Sequence, residues 1–341
     1  MDIIKRDGTK EPLDIKKIQK YTSGSTDGLD GVNQSELELD AHIQFVENMQ
    51  SHDIQNTLIK TAVDKIDIDR PNWTYVAARL FLYDLYHWVG KTVNGQKGAA
   101  YCHLKDYIAL GKKEGRLVTN LDEGYDIEDL NNYIKPERDL LFNYLGIKTL
   151  FDRYLIKNSQ GFPIELPQQM FMSISMFLAQ NEKNKQEKAK EFYDVLSQFE
   201  VMLATPTLSN ARTNRHQLSS CYIGASPDNI EGIFDGYKEM GLLSKFGGGI
   251  GWDWHNIRAI GGSIDNHQKA SGGTVPFLKI TNDIALAVDQ LGCVARDSLV
   301  KIIDSVEIDG IAYKLDNDGF ITTNDGIKYN INEIYKGQSI K

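Results

Sequence analysis

Apolar positions at the start of the chain alternate only briefly before helical spacing takes over. In Ile3-Ile4-Lys5-Arg6-Asp7-Gly8-Thr9-Lys10-Glu11-Pro12-Leu13, short runs flank an Asp-Gly pair, which predicts a β-hairpin. A helix then fits Ile15 to Tyr21, and another opens at Ser35 or Glu36 and runs to about Glu47. Asp53 is predicted to cap a third, whose apolar positions Ile54, Leu58, Ile59, Ala62, Val63 and Ile66 recur at helical spacing. Past Pro71, Thr74 is predicted to cap a fourth, with Val76, Ala77, Leu80, Phe81 and Leu85 facing inward. Residues 93 to about 200 are mostly helical in pattern. Within them, Met170 to Leu178 is an apolar helix whose methionines fit core filling better than a metal site. Asn184 to Leu203 is charged on one side, with Phe192, Val195, Leu196, Phe199 and Val201 on the other.

From residue 201 the texture changes. Glycine and small polar residues rise, and short apolar runs alternate with loops, as at the start of a strand–helix–strand domain. The stretch 201–292 is too short to complete a large α/β barrel. Residues 293–341 shift again: they contain no Pro, His or Trp, and nine Ile and three Val are interleaved with Asp-Gly turns. Ser298 to Ile303, Ile311 to Leu315, Phe320 to Thr323 and Ile327 to Ile331 are predicted short strands. The pattern therefore predicts a multidomain chain, mainly α and then α/β, with segments 1–92, 93–200, 201–292 and 293–341.

Composition narrows the function. The 341 residues carry 38 Lys and Arg against 47 Asp and Glu, a net charge of −9, which argues against a general electrostatic nucleic-acid binder. Hydrophobic content of 41% with 10% aromatics excludes a disordered chain. No apolar run is long enough for a membrane span, and the N-terminus has no signal-peptide core. Cys102, Cys221 and Cys293 fit neither a disulfide framework nor zinc spacing. A reducing, cytoplasmic setting is the expectation.

Four stretches could carry chemistry. Lys5, Arg6, Lys10, Lys16 and Lys17 crowd the hairpin and the next helix start, which suits phosphate or an ordinary solvated face. Gly247-Gly248-Gly249-Ile250-Gly251 is neither a dinucleotide fingerprint nor a P-loop, and leaves ligand approach and tight packing both open. Ala204 to Asn210 and Gln217 to Ser220 read as two hydroxyl-rich loops ahead of Cys221, a thiol that is either redox-active or buried and inert. Cys293 opens the β-rich tail after Gly292, which has no side chain to block attack on its carbonyl; an ordinary loop cysteine is the alternative.

Taken together and in order, these motifs resemble the large (α) subunit of class I ribonucleotide reductase over residues 1–292. Lys5-Arg6-Asp7-Gly8, Ile15-Lys16-Lys17-Ile18, Ala41 to Phe45 and Thr74 to Leu80 resemble its ATP-cone. Thr205-Pro206-Thr207, Gln217 to Cys221, Ile257 to Gly261 and Val275 to Lys279 resemble the opening of its catalytic domain. The resemblance implies a helical ATP-cone, a helical domain and an incomplete ten-stranded α/β barrel. It implies reduction of ribonucleoside diphosphates by thiyl-radical chemistry, with Thr205 and Ser220 contacting substrate and Cys221 one of two reducing cysteines. Asp228, Asn229, Ile230 and Arg258 match the specificity-effector site for a deoxynucleoside triphosphate or ATP. Lys5, Arg6, Glu11, Pro12, Leu13, Asp14, Ile15, Lys16, Lys17 and Ser51 match the activity site for ATP or dATP. Three family positions differ there: Ser51 stands for Thr, Gln55 for His, and His87 for a phosphate-pairing Lys.

The resemblance also implies no covalently bound cofactor, a radical supplied by a separate metal-containing β subunit, a thioredoxin- or glutaredoxin-type reductant, and a homodimer once complete. No metal, membrane or direct nucleic-acid contact is expected on this chain. The radical cysteine and the second redox cysteine are not among these residues, so the polypeptide alone is expected to be inactive. Cys293-Val294-Ala295-Arg296-Asp297-Ser298-Leu299-Val300 resembles the first block of an intein. That implies a β-rich, Hint-type N-terminal half of a split intein at 293–341. Its complement would ride on a C-terminal reductase fragment, with splicing at Gly292–Cys293. A split gene of this kind fits a virus or mobile element acting in a host cytoplasm.

Overall fold

The computed structural model describes residues 1–5, 8–96, 98–245, 248–265 and 267–288, together with the backbone of four short strands between residues 305 and 330. The chain divides into two compact units, Met1–Cys293 and Val294–Lys341.

At the N-terminus, β1 (Asp2–Ile4) and β2 (Lys10–Pro12) form the predicted antiparallel hairpin, with Ile3 opposite Glu11. A two-residue strand, β3 (Met49–Gln50), joins the free edge of β1 in parallel, too short to leave a periodic signal in the sequence. Helix α1 (Ile15–Thr26) continues past Tyr21; there Thr22 and Ser25 are buried, with their hydroxyls on carbonyls of their own helix, Ile18 at 3.2 Å and Thr22 at 2.8 Å. Helix α2 (Gln34–His42) ends before the predicted Glu47, since the chain must turn there to deliver β3. Helix α3 (Ser51–Asp64) starts ahead of Asp53, which sits in its first turn and complements the helix dipole instead of capping it. Ile66 lies beyond that helix and is exposed. Helix α4 (Trp73–Asn94) follows Asn72, whose side chain donates to the Asp30 carbonyl at 2.9 Å without capping the helix, and the Thr74 hydroxyl accepts the Tyr144 amide at 3.2 Å.

Helix α4 carries two apolar faces. Trp73, Val76, Ala77 and Leu80 pack with Ile3, Leu37, Leu58 and Ala62 of the hairpin–helix unit. Ala78, Leu82, Leu85 and Val89 enter a second core built from the helices that follow. These are α5 (Leu104–Lys113), α6 (Ile127–Tyr133), a 3-10 turn (Pro136–Leu141), α7 (Tyr144–Arg153), α8 (Pro167–Ala179) and α9 (Lys185–Ser197). Helix α8 is apolar on nearly every side and is accordingly central; Met170, Met172 and Met176 are fully buried core residues. After α9 the backbone turns at Phe199 (φ 62°), which seats its ring 4.8 Å from Phe142 and leaves Val201 exposed rather than inward.

Two buried polar groups lock this second core. Asp139, fully buried in the 3-10 turn, accepts hydrogen bonds from Tyr86 (2.7 Å), Tyr101 (2.5 Å) and Gln168 Nε2 (2.7 Å). Gln168 Oε1 in turn accepts the Tyr193 hydroxyl at 2.8 Å, so the Asp139 carboxyl joins α4 to α8 and the Gln168 amide joins α8 to α9. Arg212 and Glu165, both fully buried, form a bidentate pair at 2.6 and 2.7 Å. Arg212 also donates to the carbonyls of Leu208 (2.5 Å) and Tyr154 (2.9 Å).

The α/β portion follows: α10 (Thr205–Asn210), β4 (Cys221–Ala225), α11 (Ile230–Lys245), β5 (Gly249–Asp253) and α12 (Val275–Ala287). Strands β4 and β5 are parallel, Cys221 beside Gly249 and Ala225 beside Asp253, with α11 as the crossover that parallel pairing requires. Helix α12 buries none of its residues. In the second unit, β6 (Ser305–Ile308) pairs antiparallel with β7 (Ile311–Lys314), and β8 (Phe320–Thr322) with β9 (Lys328–Asn330). β7, β8 and β9 lie within predicted strands. β6 was not predicted, although Asp309-Gly310 follows it, and the predicted strand Ser298 to Ile303 lies outside the described residues.

Burial raises the Asp139 carboxyl to about 6 against the opposing pull of its three donors. A raised folded-state value means stability present below the unfolded value near 3.8 and lost as pH rises through about 6. Between pH 4 and 6, Asp139→Asn should therefore become more stable relative to the parent chain by up to about 3 kcal/mol, read from urea melts at stepped pH. Arg212→Met should cost about 3–5 kcal/mol, because it leaves a buried carboxylate without its cation; adding Glu165→Gln, which removes the charge but keeps an acceptor for the Tyr107 hydroxyl or the Ile156 amide, should recover part of that loss in the same melts.

Candidate functional site

Three places gather the residues singled out from the sequence. The first is a cavity of about 460 Å³ beside the hairpin, lined by Lys5 of the hairpin, Tyr21 of α1, Ser51 and Gln55 of α3, and Tyr83, Asp84, His87 and Lys91 of α4, with Gly95 and Gln96 beyond. Lys5 reaches Glu11 at 3.3 Å, and Glu11 also faces Lys17 at 3.4 Å. The hydrogen bond from Lys5 holds the Glu11 carboxyl below its ordinary range. Asp14 caps α1 by accepting the Lys16 amide at 3.0 Å. Pro12 ends β2, while the Leu13 amide bonds the Met1 carbonyl at 2.9 Å. Ile15 and Lys16 are exposed on the first turn of α1. Of the sequence-derived set, then, Lys5 and Ser51 line the cavity. Glu11, Pro12, Leu13, Asp14, Ile15, Lys16 and Lys17 form the strand end and helix start next to it, and Arg6 lies outside the described residues.

Tyr21 and Tyr83 pack at the cavity wall with ring centroids 5.3 Å apart. Gly24 makes room for them, since a Cβ there would lie 2.6 Å from the Tyr83 hydroxyl. Gln55 turns its amide to the Leu80 carbonyl at 2.7 Å, which ties α3 to α4. Tyr21, Tyr83, Asp84, Lys91 and Gln96 were not found from the sequence. The available signal was a polar stripe at Tyr83, His87 and Lys91, four residues apart on an otherwise apolar helix.

The second place surrounds Cys221. Thr205 to Asn210 is not a loop but helix α10, with Ala204 at its N-cap, Thr205 as its first residue and Pro206 in its first turn. Thr207 Oγ1 donates to the Leu218 carbonyl (3.2 Å) and Asn210 Nδ2 to the Gln217 carbonyl (2.9 Å), which fastens α10 to the segment leading into β4. The Thr205 hydroxyl lies 3.1 Å from that of Tyr154. Cys221 is an exposed free thiol at the first position of β4, with Ser220 Oγ 3.5 Å from its sulfur. Cys102, by contrast, is buried, and burial pushes its thiol up. The described part of the glycine run, Gly248 to Gly251, belongs to the β4–β5 pairing. A Cβ at Gly248 would lie 2.5 Å from the Tyr222 ring, so close packing accounts for that glycine.

The third place is the turn into α11. Arg258 Nε donates to Asp228 Oδ2 at 2.7 Å, and its Nη1 donates to the Ser263 carbonyl at 2.7 Å. Asn229 Oδ1 accepts the Gly232 amide at 2.8 Å, and Ile230 stands exposed at the helix start. All four predicted effector-site residues are thus together. Gly292 and Cys293 lie outside the described residues.

Comparison with known proteins bears on all three places. Residues 1–87 match the ATP cone domain, 140–216 the ribonucleotide reductase all-alpha domain, and 219–307 the ribonucleotide reductase barrel domain. The chain carries the N-terminal domains of a ribonucleotide reductase large subunit. The ribonucleoside-diphosphate reductase subunit alpha of Helicobacter pylori (strain J99) is 64% identical over 290 residues, 85% of this chain and 36% of that relative. The Treponema pallidum subunit is 37% identical over 248 residues, 72% of this chain and 29% of its own. Ribonucleoside-diphosphate reductase 1 subunit alpha of Escherichia coli (strain K12) is 31% identical over 282 residues, 81% and 36%. The chain thus spans about a third of the length of the curated relatives it matches. Its barrel match ends at residue 307, beyond Cys293. Among the described residues no helix is long and apolar enough to cross a membrane.

The β4–β5 pairing offers a direct test of the packing explanation. A Cβ at Gly224 would lie 2.2 Å from the Trp252 ring, so Gly224→Ala should destabilise this pair by about 1–3 kcal/mol. Limited proteolysis should show faster cleavage across residues 221–253 with the helical domain still intact.

Proposed function

We propose that this chain is the N-terminal part of a class I ribonucleoside-diphosphate reductase α subunit, regulated by nucleotides and completed by protein trans-splicing. The observation that carries the reductase reading is the run of three domain matches in one order, 1–87, 140–216 and 219–307. In this reading Lys5, Arg6, the stretch Glu11 to Lys17, and Ser51 hold ATP or dATP beside the hairpin. Asp228, Asn229, Ile230 and Arg258 hold the specificity effector. Thr205 and Ser220 contact substrate, and Cys221 works with a second cysteine on the missing part of the barrel. Two thiols become a disulfide, and their two electrons and two protons replace the ribose 2′-hydroxyl by hydrogen and release it as water. A thioredoxin- or glutaredoxin-type reductant then restores the thiols, and the radical comes from a separate β subunit. The exposure of Cys221 supports this role, since a reducing thiol must meet both substrate and partner sulfur.

For the tail, Cys293 attacks the Gly292 carbonyl in an N-to-S acyl shift, and the N-terminal segment passes to a partner chain's Cys, Ser or Thr. The division of the chain at Cys293–Val294 supports a separate module there. One observation favours a second reading: the barrel match continues to residue 307. On that reading residues 293–307 belong to the reductase, and the chain is a nucleotide-binding module that pairs non-covalently with a second fragment.

Intact mass after mixing with the C-terminal reductase fragment decides between them. Loss of residues 293–341 with gain of the partner's mass, abolished by Cys293→Ala, is the expected result. Unchanged masses with a stable complex would overturn splicing and leave the non-covalent enzyme.

A further inference from the structure

We propose that Lys91 is the phosphate-pairing cation of the cavity beside the hairpin, acting one helical turn beyond His87. This rests on the nucleotide reading of that cavity. Its size, about 460 Å³, falls within the range of small-molecule sites. The charged and titratable groups lining it are Lys5, Asp84, His87 and Lys91, with Tyr21 and Tyr83 as its aromatic wall. Lys5 is engaged with Glu11 at 3.3 Å, and Asp84 lies 3.7 Å from His52 Nδ1. Lys91 is placed differently: its ammonium lies 5.8 Å from the centre of the Trp88 ring. A cation against one aromatic face still has N–H donors on its other side to offer an anion.

Helical geometry makes the replacement possible. Residues 87 and 91 are four apart on α4, so their side chains rise from the same face about one turn, or ~5–6 Å, from each other. A lysine arm spans that distance. Lys91 also lies past the end of the ATP cone match at residue 87, so the family pattern does not assign it. Its other possible duty is local, as the basic residue in the last turn of α4, where a cation favours the helix end.

Calorimetric titration of the full chain with ATP, ADP and AMP separates these duties. Lys91→Gln should weaken ATP about tenfold and AMP less than about twofold, because only the outer phosphates lose a charge-assisted bond. Lys91→Arg should restore ATP binding to within about threefold. If the parent chain fails to bind ATP, the nucleotide reading falls and takes this assignment with it. If the parent binds and Lys91→Gln binds equally well, only the Lys91 assignment falls. Equal losses for ATP and AMP together with a lowered melting temperature would make Lys91 a helix-end residue and overturn the proposal.

Discussion

The sharing of α4 between two hydrophobic cores is the constraint from which the first 200 residues are built. Trp73, Val76 and Leu80 are committed to the hairpin–helix unit, and Leu82, Leu85 and Val89 to the helical domain. A helix buried along two faces has only a narrow strip left for polar side chains. On α4 that strip holds Tyr83, Asp84, His87 and Lys91, and it forms the cavity wall. The nucleotide-sized hollow is therefore a by-product of how the two cores divide the helix between them. Tyr86, next to this strip, faces the other way and bonds Asp139. Cavity wall and interior network are thus adjacent residues of one rigid element.

The buried polar groups serve a related end. Apolar packing alone would let α8 slide or rotate among its neighbours. Asp139 and Gln168 fix its register against α4 and α9 through directional bonds. Arg212 does the same for α10, joining it to Glu165 ahead of α8 and to the Tyr154 carbonyl after α7. Because α10 is pinned at its C-terminal end by Arg212 and along its length by Thr207 and Asn210, the Thr205 hydroxyl at its start is placed by the helical domain as much as by the strands.

Much of this was legible in the residues. The Asp-Gly turn specified the hairpin, and the apolar spacing of Ile54, Leu58, Ile59 and Ala62 specified α3. What escaped had physical reasons. A two-residue strand such as Met49–Gln50 has no period to detect. Helix starts moved because Thr74 and Asp53 found other uses for their side-chain oxygens or charge. Thr205 to Asn210 read as a loop because hydroxyls and proline suggest turns, yet proline at the start of a short helix is favourable. At the cavity, individual motif residues were visible, but Tyr21 and Lys91 become neighbours only once α1 and α4 are packed together.

The β4–β5 pair carries a consequence for how the chain opens. Two parallel strands with one crossover helix are fewer than an independently stable sheet requires. Ile223 is 93% exposed, and α12 has no fully buried residue, meeting the small core around Trp254 through partly buried Phe277 and Ile284. Amide protons of this segment should thus exchange through a small local opening that leaves α8 untouched, so the first unit behaves as two cooperative blocks of unequal stability. Cys221 heads the weaker block while α10 is anchored in the stronger. The seam between the two blocks runs through residues 213–220, between the anchored Arg212 and the exposed thiol.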